Sequence, residues 1–123
     1  DPAAAAPAPG PLSTLDISLS APRTVARGAV LTYRVTMGNQ SGTPVALSPC
    51  PSYTEVLGAG GTAPVQQTLL LNCAAAGSIA GNAALTYEMK LAVPTSTPTG
   101  TTKVSWKLEV PGGPVVGTAI SVA

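Results

Sequence analysis

The densest chemistry in the chain lies in SPCPSYTEVL, residues 48–57, where a thiol (Cys50), a phenol (Tyr53) and a carboxyl group (Glu55) stand close together. Cys50 could be a nucleophile, a metal ligand or one half of a disulfide. A cysteine nucleophile needs an activating base, usually histidine, and the sequence contains none. The same absence excludes Ser-His-Asp and Cys-His mechanisms. Zinc asks for about four N, S or O ligands, and Cys50 and Cys73 are the only two cysteines. Redox pairs are spaced as Cys-x-x-Cys, far closer than these two. A Cys50–Cys73 disulfide is therefore the expectation, with each cysteine beside a strand boundary. It would close a loop of roughly 24 residues and contribute about 3 kcal/mol. Such a bond points to an exported protein, extracellular or in the cell envelope.

Tyr53 and Glu55 fall two apart, on one face of the strand that follows Cys50. As an interaction site beside a loop the pair could grip a ligand. As a cross-strand pair it would decorate a solvated face. The other carboxyl groups beyond the first residue are Asp16, Glu88 and Glu109, and alternation sends Glu88 and Glu109 outward, where they would be solvated. No close-spaced run of acidic ligands suggests calcium, and GAGGT lacks the lysine and helix of a phosphate loop. Asn39-Gln40-Ser41 is a formal glycosylation sequon in an expected surface loop. A Lys–Asn crosslink from Lys90, Asn82 and Glu88 is not expected, since Lys90 and Glu88 should point outward. Neither a metal, a cofactor nor a catalytic residue is expected.

The elements that position these groups follow from a period of two. STLDISLS alternates Leu15, Ile17 and Leu19 with polar neighbours. GAVLTYRVTM puts Leu31, Tyr33, Val35 and Met37 on one face. NAALTYEMKL does the same with Ala83, Leu85, Tyr87, Met89 and Leu91, and TKVSWKLEV with Val104, Trp106, Leu108 and Val110. PVAL reads as a short strand. SYTEVL and PVQQTLLLN flank GAGG as a hairpin, and PGGP turns into a last strand, PVVGTAISVA. With 13 Gly and 13 Pro, and charged residues at only 9%, helices are disfavoured. Strands with one apolar face must bury it against a second layer. The expected fold is all-β: an immunoglobulin-like antiparallel sandwich of seven to nine strands with Greek-key connections.

One such domain should occupy residues 13–123, preceded by an Ala/Pro-rich linker over residues 1–12, DPAAAAPAPGPL, too rich in proline for a helix. Net charge is +1 with the cations scattered, so nucleic acid is not an expected partner. No apolar run reaches the ~18 residues of a membrane span. Membrane attachment would come through an anchor outside this chain.

LTYRVTMGNQSGTPVAL, and SIAGNAALTYEMKLAVP followed by PTGTTKVSWKLE, resemble the strand-and-turn pattern of bacterial, actinobacterial-type secreted immunoglobulin-like domains. They are more distantly similar to the bacillar intracellular proteinase inhibitor family. The resemblance covers roughly residues 29–110 and departs at Ala80-Gly81-Asn82, where Pro-Gly-Glu is usual. It implies an immunoglobulin-like fold. The function expected is that of a non-enzymatic extracellular module: spacer, scaffold or protein-interaction domain, with self-association through an edge strand or patch as one form of contact. The alternative is an inhibitor-like or other ligand-binding domain acting through loops such as SPCPSYTE or GAGGT.

Overall fold

A computed structural model describes residues 11–48, 50–58, 65–73 and 77–123. Most of the expected linker lies outside the described residues. Pro11 and Leu12, assigned to it from sequence, instead begin a 3-10 turn, Pro11–Thr14, and Leu12 packs against the core. The described elements are β1 (Asp16–Ser20), β2 (Thr24–Val25), β3 (Val30–Gly38), β4 (Val45–Ala46), β5 (Ser52–Leu57), β6 (Val65–Leu70), β7 (Ser78–Ile79), β8 (Ala84–Ala92), β9 (Gly100–Glu109) and β10 (Val115–Val122).

They form an all-β sandwich. One sheet has the order β1-β3-β8, the other β2-β10-β9-β5-β6, and β4 pairs with β7 beside them. The strand count exceeds the expected range because β2 and β7 are two-residue pieces that alternation cannot reveal, whereas the short strand expected at PVAL is present as β4. One pairing also departs from the antiparallel expectation. Ser121 and Val122 of β10 lie beside Thr24 and Val25 of β2 in parallel.

The long strands bury the faces that their periodicity marks. Leu31, Tyr33, Val35 and Met37 point inward from β3, and Val104, Trp106 and Leu108 from β9. These apolar groups from both sheets make one core, and their removal from water is the main force holding the layers together. The β9–β10 hairpin closes as expected at PGGP. Gly113 N–H donates to Val110 O at 2.8 Å, and Gly112 takes a φ of 69° that suits glycine.

Two segments repeat one another. TVARGAVLTYRVTM, residues 24–37, aligns without a gap on SIAGNAALTYEMKL, residues 78–91, so that Leu31-Thr32-Tyr33 recurs as Leu85-Thr86-Tyr87. Each segment is a two-residue strand, a turn and a nine-residue strand. In each turn an alanine N–H reaches back three residues, Ala29 to Ala26 O and Ala83 to Ala80 O, both at 3.1 Å. The residue before it is left-handed: Gly28 at 80° and Asn82 at 59°. Arg34 and Glu88 are equivalent in the repeat and face each other across the β3–β8 pair, so a local pseudo-twofold axis passes between them.

Candidate functional site

β5 lies between β9 and β6, with Glu55 opposite Trp106 on one side and Gln67 on the other. Its inward face carries Tyr53, Glu55 and Leu57. Both residues singled out from sequence are therefore on the core side and not on a solvated face, and they stand in a strand rather than a loop. Tyr53 is buried and Glu55 is 0% exposed. The reason is the sheet order. An inner strand facing a second layer buries alternate side chains whatever their polarity, and Leu57 and Trp106 hold that face inward.

The Glu55 carboxyl group is met from both sheets. From β3, in the opposite layer, the Tyr33 hydroxyl donates to Oε1 at 2.5 Å. From the adjacent strand β6, Gln67 Nε2 donates to Oε2. Burying a carboxyl group without partners costs several kcal/mol, so these two donors are what make its position tenable. Burial raises the Tyr33 phenol well above its ordinary range, and the Glu55 hydrogen bond and charge push the same way. Tyr53 is raised by burial first and by the charge of Glu55 second. Its ring stacks on Trp106, with centroids 5.7 Å apart and planes 21° from parallel. Trp106 Nε1 is buried with no hydrogen-bond partner among the described residues. A carboxyl group with no solvent exposure cannot reach an outside substrate. What this arrangement does chemically is brace the two sheets.

The disulfide expected from sequence is present. Cys50, just before β5, joins Cys73, just after β6, with Cα atoms 5.9 Å apart. It ties the open end of the β5–β6 hairpin. The repeated tyrosine secures the same hairpin from the other layer: Tyr33 binds Glu55, and its equivalent Tyr87 donates to Asn72 O at 3.1 Å. GAGGT, one of the loops considered for ligand binding, falls mainly outside the described residues. The other, SPCPSYTE, runs into β5, with Pro51, Tyr53, Thr54 and Glu55 all buried.

Two polar clusters escaped the sequence reading. Asn39, the sequon residue, is 4% exposed rather than on a surface loop. Its Nδ2 donates to Thr43 O, Ile79 O and Ala80 O, while Oδ1 accepts from the Ser41 amide and hydroxyl. It thereby fastens the loop after β3 to the turn after β7, where a Cβ on Gly81 would lie 2.4 Å from Gly42 O. On the outer face of the larger sheet, Thr54 Oγ1 bonds Thr68 Oγ1 at 2.8 Å and donates to Glu109 Oε2 at 2.6 Å. Lys107 Nζ stands 3.7 Å from Glu109 Oε1. Among the described residues no three His, Cys, Asp or Glu side chains gather in the manner of a metal site. The signal for the outer cluster was present in the alternation of Thr54, Thr68 and Lys107, but strand order was needed to bring them together.

No family model matches the chain. No curated protein matches it either. Solved structures do resemble it. The CARDB domain of a Pyrococcus furiosus protein, solved in solution, superposes with a TM-score of 0.56 at 16% identity, covering 89% of this chain and 94% of that one. The same domain crystallised with di-metal ions gives a TM-score of 0.53 at 16% identity, over 89% of each chain. A Niemann-Pick type C2 protein from the Japanese carpenter ant gives 0.51 at 11% identity, over 88% of this chain and 89% of that one. At such identities the likeness is one of fold, a small β-sandwich of immunoglobulin-like type.

Proposed function

We propose that the chain is a non-enzymatic, extracellular module of a secreted or surface-anchored bacterial protein, serving as a spacer, scaffold or protein-interaction domain. The observation that carries this reading is the Cys50–Cys73 disulfide across the β5–β6 hairpin, a bond that persists in oxidising compartments. The disposition of polar groups supports it. Glu55 and Tyr33 satisfy each other inside the core, and Thr54, Glu109 and Lys107 are linked along one sheet face. These groups brace a rigid body. The Ala/Pro tract over residues 1–10 has the composition of a semi-extended spacer, which fits a domain held away from its attachment.

Fractionation of the native host tests the reading, with intact mass measured after alkylation under non-reducing conditions. The expected result is recovery from the medium or envelope, with neither cysteine alkylated. Recovery from the cytosol with both thiols alkylated would overturn it.

A further inference from the structure

β6 is an edge strand. Among the described residues it has β5 on one side and no strand on the other. The direction of its backbone groups can be worked out from one contact. Leu71 N–H donates to Pro51 O at 2.9 Å, in register with the pairs of β5 and β6. Backbone direction alternates along a strand, so Leu69, Gln67 and Val65 also turn their N–H and C=O groups to β5. Gln66, Thr68 and Leu70 therefore turn theirs away from the sheet.

The free edge lacks the protections that edge strands normally carry. VQQTLL has no charge, proline or glycine. The other edges differ. β8 carries Glu88 and Lys90, β1 carries Asp16, and β2 is two residues long between Arg23 and Arg27. Exposed large apolar side chains also sit on β6, with Leu69 41% and Leu70 69% exposed.

We infer that β6 is a self-association edge and that its occupant is β6 of a second copy of this chain, added antiparallel about a twofold axis at Thr68. This register follows from the chemistry of the strand. It sets Thr68 against Thr68 of the second copy and Gln66 against its Leu70, so every outward-turned N–H and C=O of the three residues finds a partner. On the inward face it sets Gln67 against Leu69 of the second copy. An uncharged strand meets no like-charge repulsion in pairing with itself, and the net charge of +1 gives the two copies little long-range repulsion. Strand addition of this kind draws its affinity from main-chain bonds. The inference gives a partner to the interaction role proposed above, and it rests on that reading only in taking contact to be the function.

Sedimentation equilibrium over a wide concentration range tests it, on the unmodified chain and on two variants. Thr68→Lys places like charges opposite each other at the axis. Thr68→Pro removes the central N–H, which points away from β5 and so leaves the β5–β6 ladder whole. Thermal unfolding confirms that both variants fold. The expected result is a monomer–dimer equilibrium whose dissociation constant rises roughly tenfold or more in each folded variant. A strictly monomeric parent chain would overturn the inference, as would a dimer that both variants leave unchanged. Neither outcome touches the proposed compartment and module role, which stand or fall on the fractionation.

Discussion

The Tyr33 hydroxyl and the Glu55 carboxyl group meet at 2.5 Å across the interior, one from each sheet, and with Gln67 they form a polar brace between the layers. A brace of this kind is costly to break by halves. Glu55→Ala leaves the buried Tyr33 hydroxyl and the half-buried Gln67 amide without their acceptor, and should destabilise the fold by about 3 kcal/mol or more in urea unfolding. The triple change Tyr33→Phe, Glu55→Leu, Gln67→Leu removes every polar member and should cost less than Glu55→Ala alone. A triple variant weaker than the single one would show that the brace contributes net stability.

Alkaline stability follows from the phenols, which are buried at Tyr33 and Tyr53 and half-buried at Tyr87. Tyr33, Tyr53 and Tyr87 all have folded-state pKa values raised above the ordinary 10.0, so the native state holds those protons more tightly than the unfolded chain. Their contribution is fully present below pH 10 and is lost as pH rises beyond it. Stability should fall by roughly 1.4 kcal/mol per pH unit for each tyrosine ionised only on unfolding. Unfolding curves between pH 8 and about pH 11 would show the slope, and Tyr33→Phe should make it shallower.

The disulfide should matter to stability as well as to compartment. Replacing Cys50 and Cys73 by alanine opens the base of the β5–β6 hairpin and should lower the unfolding free energy by about 3 kcal/mol. The loss should be accompanied by increased amide exchange in β6, the edge strand, ahead of β3 and β9.

Asn39 is a structural clamp, and its sequon should stay unmodified in the folded protein because Nδ2 is fully engaged with three carbonyl oxygens. Asn39→Asp removes that donor and sets a carboxylate against the same carbonyls. A destabilisation of about 2–4 kcal/mol is expected in thermal or urea unfolding. An unchanged midpoint would show that backbone bonds such as Asn82 N–H to Ser41 O hold the two loops without help.

Much of the fold was legible because the long strands alternate without interruption. β3, β8 and β9 could be oriented from Tyr33, Met89 and Trp106 alone, and the disulfide from the poverty of other roles for its cysteines. Glu55 was misread because period two says which residues share a face and not which way that face looks. Only the position of β5, between β6 and β9 and under β3, decides that Tyr53 and Glu55 turn inward. Asn39 was hidden for a related reason: its partners are carbonyl groups of remote loops, which leave no mark in side-chain pattern. The β2–β10 pairing was illegible because two residues carry no period. The recurrence of Leu-Thr-Tyr in matching contexts was in plain sight, and it foreshadowed two tyrosines reaching for the same hairpin.

The Cys50–Cys73 bridge also sets how far the domain can be drawn out under tension. A stretch of 23 positions is pinned at a Cα–Cα distance of 5.9 Å, where a taut polypeptide of that length would reach nearly 80 Å. If the chain serves as a tether, its extended reach is shorter by about 70 Å for as long as the sulfurs stay joined. Reduction would then release slack as well as stability, so the redox state of the surroundings would set the working length of the tether.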